Sequence, residues 1–340
     1  MAIFLIGEPD TKRCRYFLQA AEEQKVAVDV LSWKEWNPDA IEGGIVKIDP
    51  PSYNEYDILE LPAGIDRYKK QLNQLTEVNN VRFLNHPAGI LQALDKWESK
   101  LLCKKKGMAV TDVLGKNPKD LPALLAIMKE HRVRSVFLKP SYGSGAAGIL
   151  ALSLHPRTGE MAAYTAACLA EGKLLQQKAI RCLRKQEEIE ALVNTILQLE
   201  TVVEKWYPKA EYHAQKYDFR VVWQFGKIAY ILPRKSPMPI TNLHLNNRAS
   251  SIEEIFSSME QKEGEKILAQ IEILCQQTME LFPALTVAGL DIMLDKKTNC
   301  PRLIEINGQG DLLYQDIYGE NRIYGQQVAY LKGLEEQEIR

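Results

Sequence analysis

The stretch AGLDIMLDKKTNCPRLIEINGQG, residues 288–310, narrows what this chain can fold into more than any other. Two apolar runs, Leu290 to Leu294 and Arg302 to Ile306, flank the polar turn DKKTN, so the segment predicts a hairpin. Positions 291 and 305 are equidistant from its centre near Thr298. A regular hairpin then sets Asp291 directly opposite Glu305, with Cβ atoms about 5 Å apart on one face. Asn307 lies two residues beyond Glu305 and shares that face. Gly289, opposite Asn307, removes a side chain that would crowd it. Two carboxylates and an amide oxygen suit a hard cation, Mg²⁺ or Mn²⁺, whose remaining positions go to water and phosphate. Without a cation the facing like charges destabilise the sheet. The competing reading turns the pair to solvent on a two-faced hairpin.

A second segment, FLKPSYGSGAAGI, places Ser144, Gly145 and two further glycines between two strands. Its backbone N–H groups can approach phosphate oxygens closely, and Lys139 at the end of the entering strand reaches the same anion. A strand follows rather than a helix, so this is not a P-loop; a merely flexible hairpin is the alternative. Lys96, in LQALDKWESK, reads locally as a solvated helix lysine. In VVEKWYPKAEYHAQKYDFRVV an apolar strand runs into Glu204, Lys205 and Trp206 and ends at Pro208. Asp218 and Arg220 then share one face of the next strand, as an ion pair or a ligand contact. Arg234 opens a polar loop, RKSPMPITNLHLNNRAS, that suits an anion-lined substrate channel or is simply a solvated loop.

Composition excludes several other classes. The 340 residues carry 43 Lys+Arg against 44 Asp+Glu, a net charge of −1, so no basic field favours nucleic acid. No run of about 18 apolar residues predicts a membrane span. MAIFLIGEP lacks the basic start and small-residue cleavage site of a signal peptide. Six dispersed cysteines without a CxxC pair, and five histidines without HExxH, give no zinc site and fit a reducing cytosol. A cytoplasmic enzyme is the expectation.

The first ninety residues alternate strand and helix signals: strands at 3–6, 26–31, 44–48 and 81–84, helices at 12–24 and within 66–75. That alternation predicts a small, mostly parallel, doubly wound sheet. Pro87 opens one helix that runs to about Lys106 and stops at Gly107. Beyond it the pattern predicts a helix at 121–130, strands at 135–139 and 149–152, a helix at 185–199, and strands at 201–205, 219–225 and 227–232. Residues 251–282 read as largely helical, followed by the hairpin. Three domains result: 1–112, 113–204 and 205–340.

The order of these signals is more specific than any one of them. A lysine on a helix, a lysine before a Gly-rich strand–loop–strand, an EKW strand end, DxR on a strand, and then Asp and ExN across a hairpin together resemble the ATP-grasp superfamily. The similarity is greatest to RimK-type carboxylate–amine ligases. HPAGILQALDKWESKLLCKKKGM is similar to their leading helix, and ITNLHLNNRAS to their Asn- and Arg-bearing loop. The resemblance spans residues 85–312 and implies a small α/β domain followed by a two-lobed ATP-grasp module. It implies that Lys96 and Lys139 contact ATP phosphates under the loop 141–148, with Ser144 and Gly145. The backbone at Glu204, Lys205 and Trp206 would meet the adenine edge, and Asp218 the ribose. Asp291, Glu305 and Asn307 would hold Mg²⁺, and Arg220 and Arg234 would face the γ-phosphate or an acyl-phosphate.

Two departures accompany the resemblance. The segment between Glu204 and Asp218 is longer than usual, so Glu211 competes with Asp218 for the ribose. The tail GQGDLLYQDIYGENRIYG differs from the usual Ser-Pro-Gly continuation, which points to an unusual substrate. The implied reaction is ATP-dependent ligation of a carboxylate to an amine, on an amino acid, small metabolite or peptide, with peptide tailoring slightly preferred. A small-molecule kinase or a non-catalytic ATP-binding module of a biosynthetic assembly are the alternatives. A homodimer is the commonest assembly.

Overall fold

A computed structural model describes residues 1–52, 57–143, 145–309 and 313–338. Its first sheet comprises β1 (Ile3–Ile6), β2 (Asp29–Leu31), β3 (Ile45–Ile48) and β4 (Arg82–Phe83), all parallel, in the order β2-β1-β3-β4. Helices α1 (Lys12–Glu23) and α2 (Leu61–Thr76) connect its strands. This is the doubly wound α/β arrangement the alternation predicts, because short apolar strands buried on both faces need a helix between them to run parallel.

The single helix expected from Pro87 to Lys106 is two: α3 (Pro87–Leu94) and α4 (Lys96–Lys105). Asp95 breaks them. Its backbone is extended (φ −84°, ψ 103°) and its carboxylate accepts from the N–H groups of Trp97 and Glu98 at 2.9 and 3.1 Å. An aspartate that can cap a new first turn competes with helix continuation. The break matters because it puts Lys96 at a helix start, facing the Gly-rich loop.

Next comes a six-stranded antiparallel sheet of β5 (Val113–Lys116), β6 (Ser135–Pro140), β7 (Leu150–Leu154), β8 (Met161–Ala170), β9 (Lys173–Leu183) and β10 (Thr201–Lys205), in the order β5-β10-β6-β7-β8-β9. Helices α5 (Leu121–Glu130) and α6 (Gln186–Ile196) cover one face. The long β8–β9 hairpin has no counterpart in the sequence reading, because MAAYTAACLA is built of small residues with weak strand preference.

The last sheet contains β11 (Glu211–Tyr212), β12 (Gln215–Gln224), β13 (Lys227–Ser236), β14 (Arg248–Ala249), β15 (Val287–Leu294) and β16 (Pro301–Asn307). Its main path is β14-β13-β12-β15-β16, with β11 beside β12. Phe225 and Gly226 join β12 to β13 at φ +55° and +80°, the two-residue hairpin turn whose twist matches its strands. Helices α7 (Ile252–Phe256) and α8 (Gln261–Leu281) pack on this sheet, and α9 (Tyr314–Ile317) and α10 (Arg322–Glu338) return the chain to α1.

Asn85 ties the first domain to the last sheet. Its buried amide donates to the Val287 and Gly308 carbonyls and accepts from the Thr286 and Val287 N–H groups, all at 2.7–2.8 Å. A buried amide with every group satisfied fixes the approach of two elements. The result is a small parallel α/β sheet followed by two antiparallel sheets, with a cleft between those two.

Candidate functional site

The hairpin pairs as its symmetry predicts: Asp291 faces Glu305, and Gly289 faces Asn307. The same row continues across β12, where Arg220 stands opposite Asp291. Asp218, two residues back, stands opposite Arg234 of β13. Alternation therefore aims Asp218 and Arg220 at one face, between the carboxylates and Arg234. Arg220 Nη1 lies 2.5 Å from Asp291 Oδ1, while Arg234 bridges Asp218 Oδ1 (2.8 Å) and Asp291 Oδ2 (3.3 Å). Lys209 closes the row by donating to Asp218 Oδ2 and Thr241 Oγ1, both at 2.7 Å.

The opposite wall comes from the middle sheet and α4. Glu204 Oε2 accepts from Lys100 at 2.6 Å and Lys139 at 2.8 Å, and Thr111 donates to the same oxygen at 3.1 Å. Lys96 Nζ donates to the Gly143 carbonyl of the Gly-rich loop at 3.0 Å. Tyr142 of that loop is tied down separately, its hydroxyl donating to Asp95 at 3.1 Å and its ring lying 3.2 Å below Lys69 Nζ.

The two walls enclose a cavity with about 810 Å³ of open space. Lys96, Lys139, Glu204, Lys205, Asp218, Arg234, Asp291 and Glu305 all line it. Gly145 and Asn307 line an adjoining chamber. Ser144 lies outside the described residues.

Three expectations need correction. Glu211 is not in the cavity; it pairs at the surface with Lys296 (2.8 Å) and Lys216 (3.8 Å). At the strand end two of the backbone donors expected to meet adenine are already engaged. Because β10 is flanked on both sides, Lys205 N–H donates to Asp112 O and Trp206 N–H to Ser135 O. The next amide, of Tyr207, donates to no carbonyl among the described residues, and Tyr207 lines the cavity. The Trp206 ring packs on Phe137 and Tyr164. Finally, a Cβ on Gly289 would sit 3.5 Å from Arg220 and 3.6 Å from Asn307, ordinary contact, so steric relief does not explain that glycine.

Lys100, Thr111, Lys209, Thr241 and Tyr207 escaped the sequence reading. Lys100 had one legible signal, its place four residues after Lys96 on the same helix face.

Burial sets the electrostatics. Glu204 is 1% exposed, and burial alone would raise its carboxyl; Lys100 and Lys139 outweigh this and hold it at about 2. Burial pushes Lys100 down to about 8 against the pull of Glu204. Asp218 likewise stays far below the carboxylate range, Arg234 and Lys209 overcoming burial. Asp291 is raised, by burial first, despite Arg220 and Arg234. Glu305 is lowered, as Lys96, Lys139 and Arg220 overcome burial. Among the described residues the cations Lys96, Lys100, Lys139, Lys205, Lys209, Arg220 and Arg234 outnumber the carboxylates Glu204, Asp218, Asp291 and Glu305. The site thus has a surplus of positive charge and attracts an anion.

Glu305 makes no hydrogen bond or ion pair among the described residues. Asn307 donates its amide nitrogen to the Gly289 carbonyl at 3.3 Å, which turns its oxygen the other way. An uncommitted carboxylate opposite Asp291 and beside an amide oxygen fits a hard divalent cation. Among the described residues no group of three or more His, Cys, Asp and Glu is arranged to hold a metal, so such an ion would take its other ligands from water and a bound phosphate.

A model of the YheC/D-like ATP-grasp family matches residues 111–331. The chain belongs to that family. No curated protein matches it. Among solved structures, this YheC/D-like chain is similar to D-cycloserine synthetase DcsG, at 12% identity and TM-score 0.61 over 97% of this chain and 100% of that one. It is similar to the ATP-grasp ligase PsnB, complexed with minimal precursor, Mg and ADP, at 13% identity and TM-score 0.57 over 97% of each chain. A RimK-domain ATP-grasp protein from Sphaerobacter thermophilus DSM 20745 matches at 11% identity and TM-score 0.56, over 97% of this chain and 99% of that one. These identities establish the fold. The resemblance read from the order of Lys96 through Asn307 is the family relationship found.

Proposed function

We propose that this YheC/D-like protein is an ATP-dependent carboxylate–amine ligase. One observation carries the reading: Lys96 and Lys139, Gly143 of the Gly-rich loop, and Glu305 converge on a single cavity from three separate parts of the chain. Mg-bound ATP carries about two negative charges net, which the cationic surplus of the site complements. Adenine enters beside Phe137 and Ile149, with its edge on the Tyr207 amide rather than on those of Lys205 and Trp206. Asp218, already held by Lys209, Thr241 and Arg234, keeps Arg234 aimed into the cavity. Lys96 exchanges the Gly143 carbonyl for a phosphate oxygen, and the loop closes over it.

In the reaction, a carboxylate oxygen of the substrate attacks the γ-phosphorus and ADP leaves. An amine then attacks the acyl carbon, and phosphate leaves with the bonding pair. Lys96, Lys139, Arg220 and Arg234 neutralise the charge that spreads over the transferring oxygens, so positioning and electrostatics supply the rate. A cation between Glu305, Asn307 and Asp291 would add Lewis-acid neutralisation of the phosphates. Closure of the loop keeps water from the activated acyl group.

Calorimetry with Mg-ATP tests this directly. Micromolar binding by the wild type, weakened at least tenfold in Glu305→Ala, supports the site; ADP release that requires both a carboxylate and an amine supports the ligase. ADP release with a stable phosphorylated product instead identifies a kinase. Absence of Mg-ATP binding removes both.

A further inference from the structure

We infer that Asp112 is a positioning residue for the nucleotide: it holds the Tyr207 side chain and thereby fixes where the Tyr207 backbone N–H meets the adenine edge. This deepens the ligase reading above and rests on it. Two stretches of chain span from one antiparallel sheet to the other, side by side. The first runs through residues 109–113. It pairs with β16, where Leu303 N–H donates to Ala109 O at 2.9 Å and Thr111 N–H to Leu303 O at 3.0 Å. It then enters the middle sheet as β5, where Val113 pairs with Glu204. The second stretch runs through residues 205–209. Trp206 N–H still donates to Ser135 O of the middle sheet at 3.1 Å, and the Pro208 carbonyl already accepts from Lys296 N–H, just past β15, at 2.9 Å. Tyr207 is the one residue between these anchors, and Pro208 disfavours helical backbone there.

Asp112 grips both stretches. Its carbonyl accepts from Lys205 N–H at 2.8 Å. Its carboxylate accepts from the Tyr207 hydroxyl through Oδ2 and from Lys104 Nζ through Oδ1, the latter at 2.7 Å. Burial works against this carboxylate, but the bonds from Lys104 and Tyr207 outweigh it and hold Asp112 below the usual range. Burial and Asp112 push the Tyr207 hydroxyl up to about 12. At neutral pH a phenol therefore donates to a carboxylate, a charge-assisted bond stronger than a neutral one. The Tyr207 ring is held as well: the Arg302 guanidinium lies 4.5 Å and Lys205 Nζ 4.8 Å from its centroid, both cation–π distances. Arg302 Nη1 in turn lies 3.5 Å from Val110 O of the first stretch. The side chain of Tyr207 is thus fixed, while its amide donates to no carbonyl among the described residues and the residue lines the nucleotide cavity. An anchored side chain and two pinned neighbours restrict the direction of the amide between them, and geometry set in advance is what binding a rigid heterocycle rewards.

The test is calorimetry on the full chain with Mg-ATP and with Mg-tripolyphosphate, which carries the phosphates without the base. The wild type should bind Mg-ATP the more tightly. Tyr207→Phe, which keeps the ring, and Asp112→Ala should each weaken Mg-ATP about fivefold or more, the scale of one lost hydrogen bond to a charged group, and leave Mg-tripolyphosphate within about twofold of the wild type. Asp112→Asn, which still offers the Tyr207 hydroxyl an oxygen, should recover part of the loss. The double variant Asp112→Ala/Tyr207→Phe should lose no more than the weaker-binding single variant, because both break the same bond. Unchanged Mg-ATP affinity in both single variants, equal losses for the two ligands, additive losses in the double variant, or equal binding of both ligands by the wild type would overturn the inference. Failure of the wild type to bind Mg-ATP would instead overturn the ligase reading.

Discussion

Glu204 is the most exacting test of the electrostatics. Glu204→Gln keeps the shape of the side chain and removes the one negative charge shared by the buried ammonium groups of Lys100 and Lys139. A carboxyl held at about 2 instead of its ordinary 4.5 stabilises the folded state by roughly 3 kcal/mol, at about 1.4 kcal/mol per pH unit. Breaking a buried pair from one side costs a similar amount, about 3–5 kcal/mol. With an unfolding entropy of about 2.1 cal/mol/K per residue, a loss near 3 kcal/mol lowers Tm by about 4 °C for a chain of this length.

The pH dependence separates this cause from lost packing. The folded carboxyl lies below its unfolded value, so its contribution is fully present above pH 4.5 and disappears as pH falls toward 2. On the alkaline side, Lys100 loses its proton near 8 in the folded protein and at its ordinary 10.5 when unfolded. By pH 9 one of the two ammonium groups is largely neutral, and the uncharged amide of the variant is better tolerated beside it. Scanning calorimetry at pH 7 and pH 9 should therefore show the Tm deficit of Glu204→Gln shrinking at the higher pH. The double variant Glu204→Gln/Lys100→Met should recover part of it at pH 7. A deficit that is the same at both pH values, or under about 1 °C at pH 7, would refute the reasoning.

Two glycines with different surroundings should respond differently to alanine. Gly89→Ala drives a Cβ to 2.9 Å from the Ala284 backbone and should cost about 1–3 kcal/mol, whereas Gly289→Ala meets only ordinary contacts and should stay within about 1 kcal/mol of the wild type by urea midpoint. Tyr142→Phe deletes the hydrogen bond to Asp95, one of the ties that hold the Gly-rich loop to the start of α4. It should raise the KM for ATP several-fold with fold stability unchanged; an unaltered KM would dissociate that bond from loop closure. In Lys96→Met the Gly143 contact and a phosphate contact vanish together, so Mg-ATP affinity by calorimetry should fall at least tenfold.

The sequence by itself determined what depends on short-range periodicity and turn chemistry. The hairpin of Asp291 and Glu305 was legible because both strands and their turn are contiguous, and strand geometry then leaves one register. The parallel first sheet and the ATP-grasp order of residues were legible for the same reason. The tertiary structure alone decided the rest. Asp95 splits a helix that propensity would continue, and the small residues of β8 hide a strand that only neighbouring strands stabilise. Lys100 reads as one more helix lysine until Glu204, from a strand of the middle sheet, removes it from water beside Lys139. Charge partners distant in sequence and buried together have no local signature, since the energy that selects them arises only when burial strips away solvent. What Tyr207 faces was likewise set by how β10 is flanked.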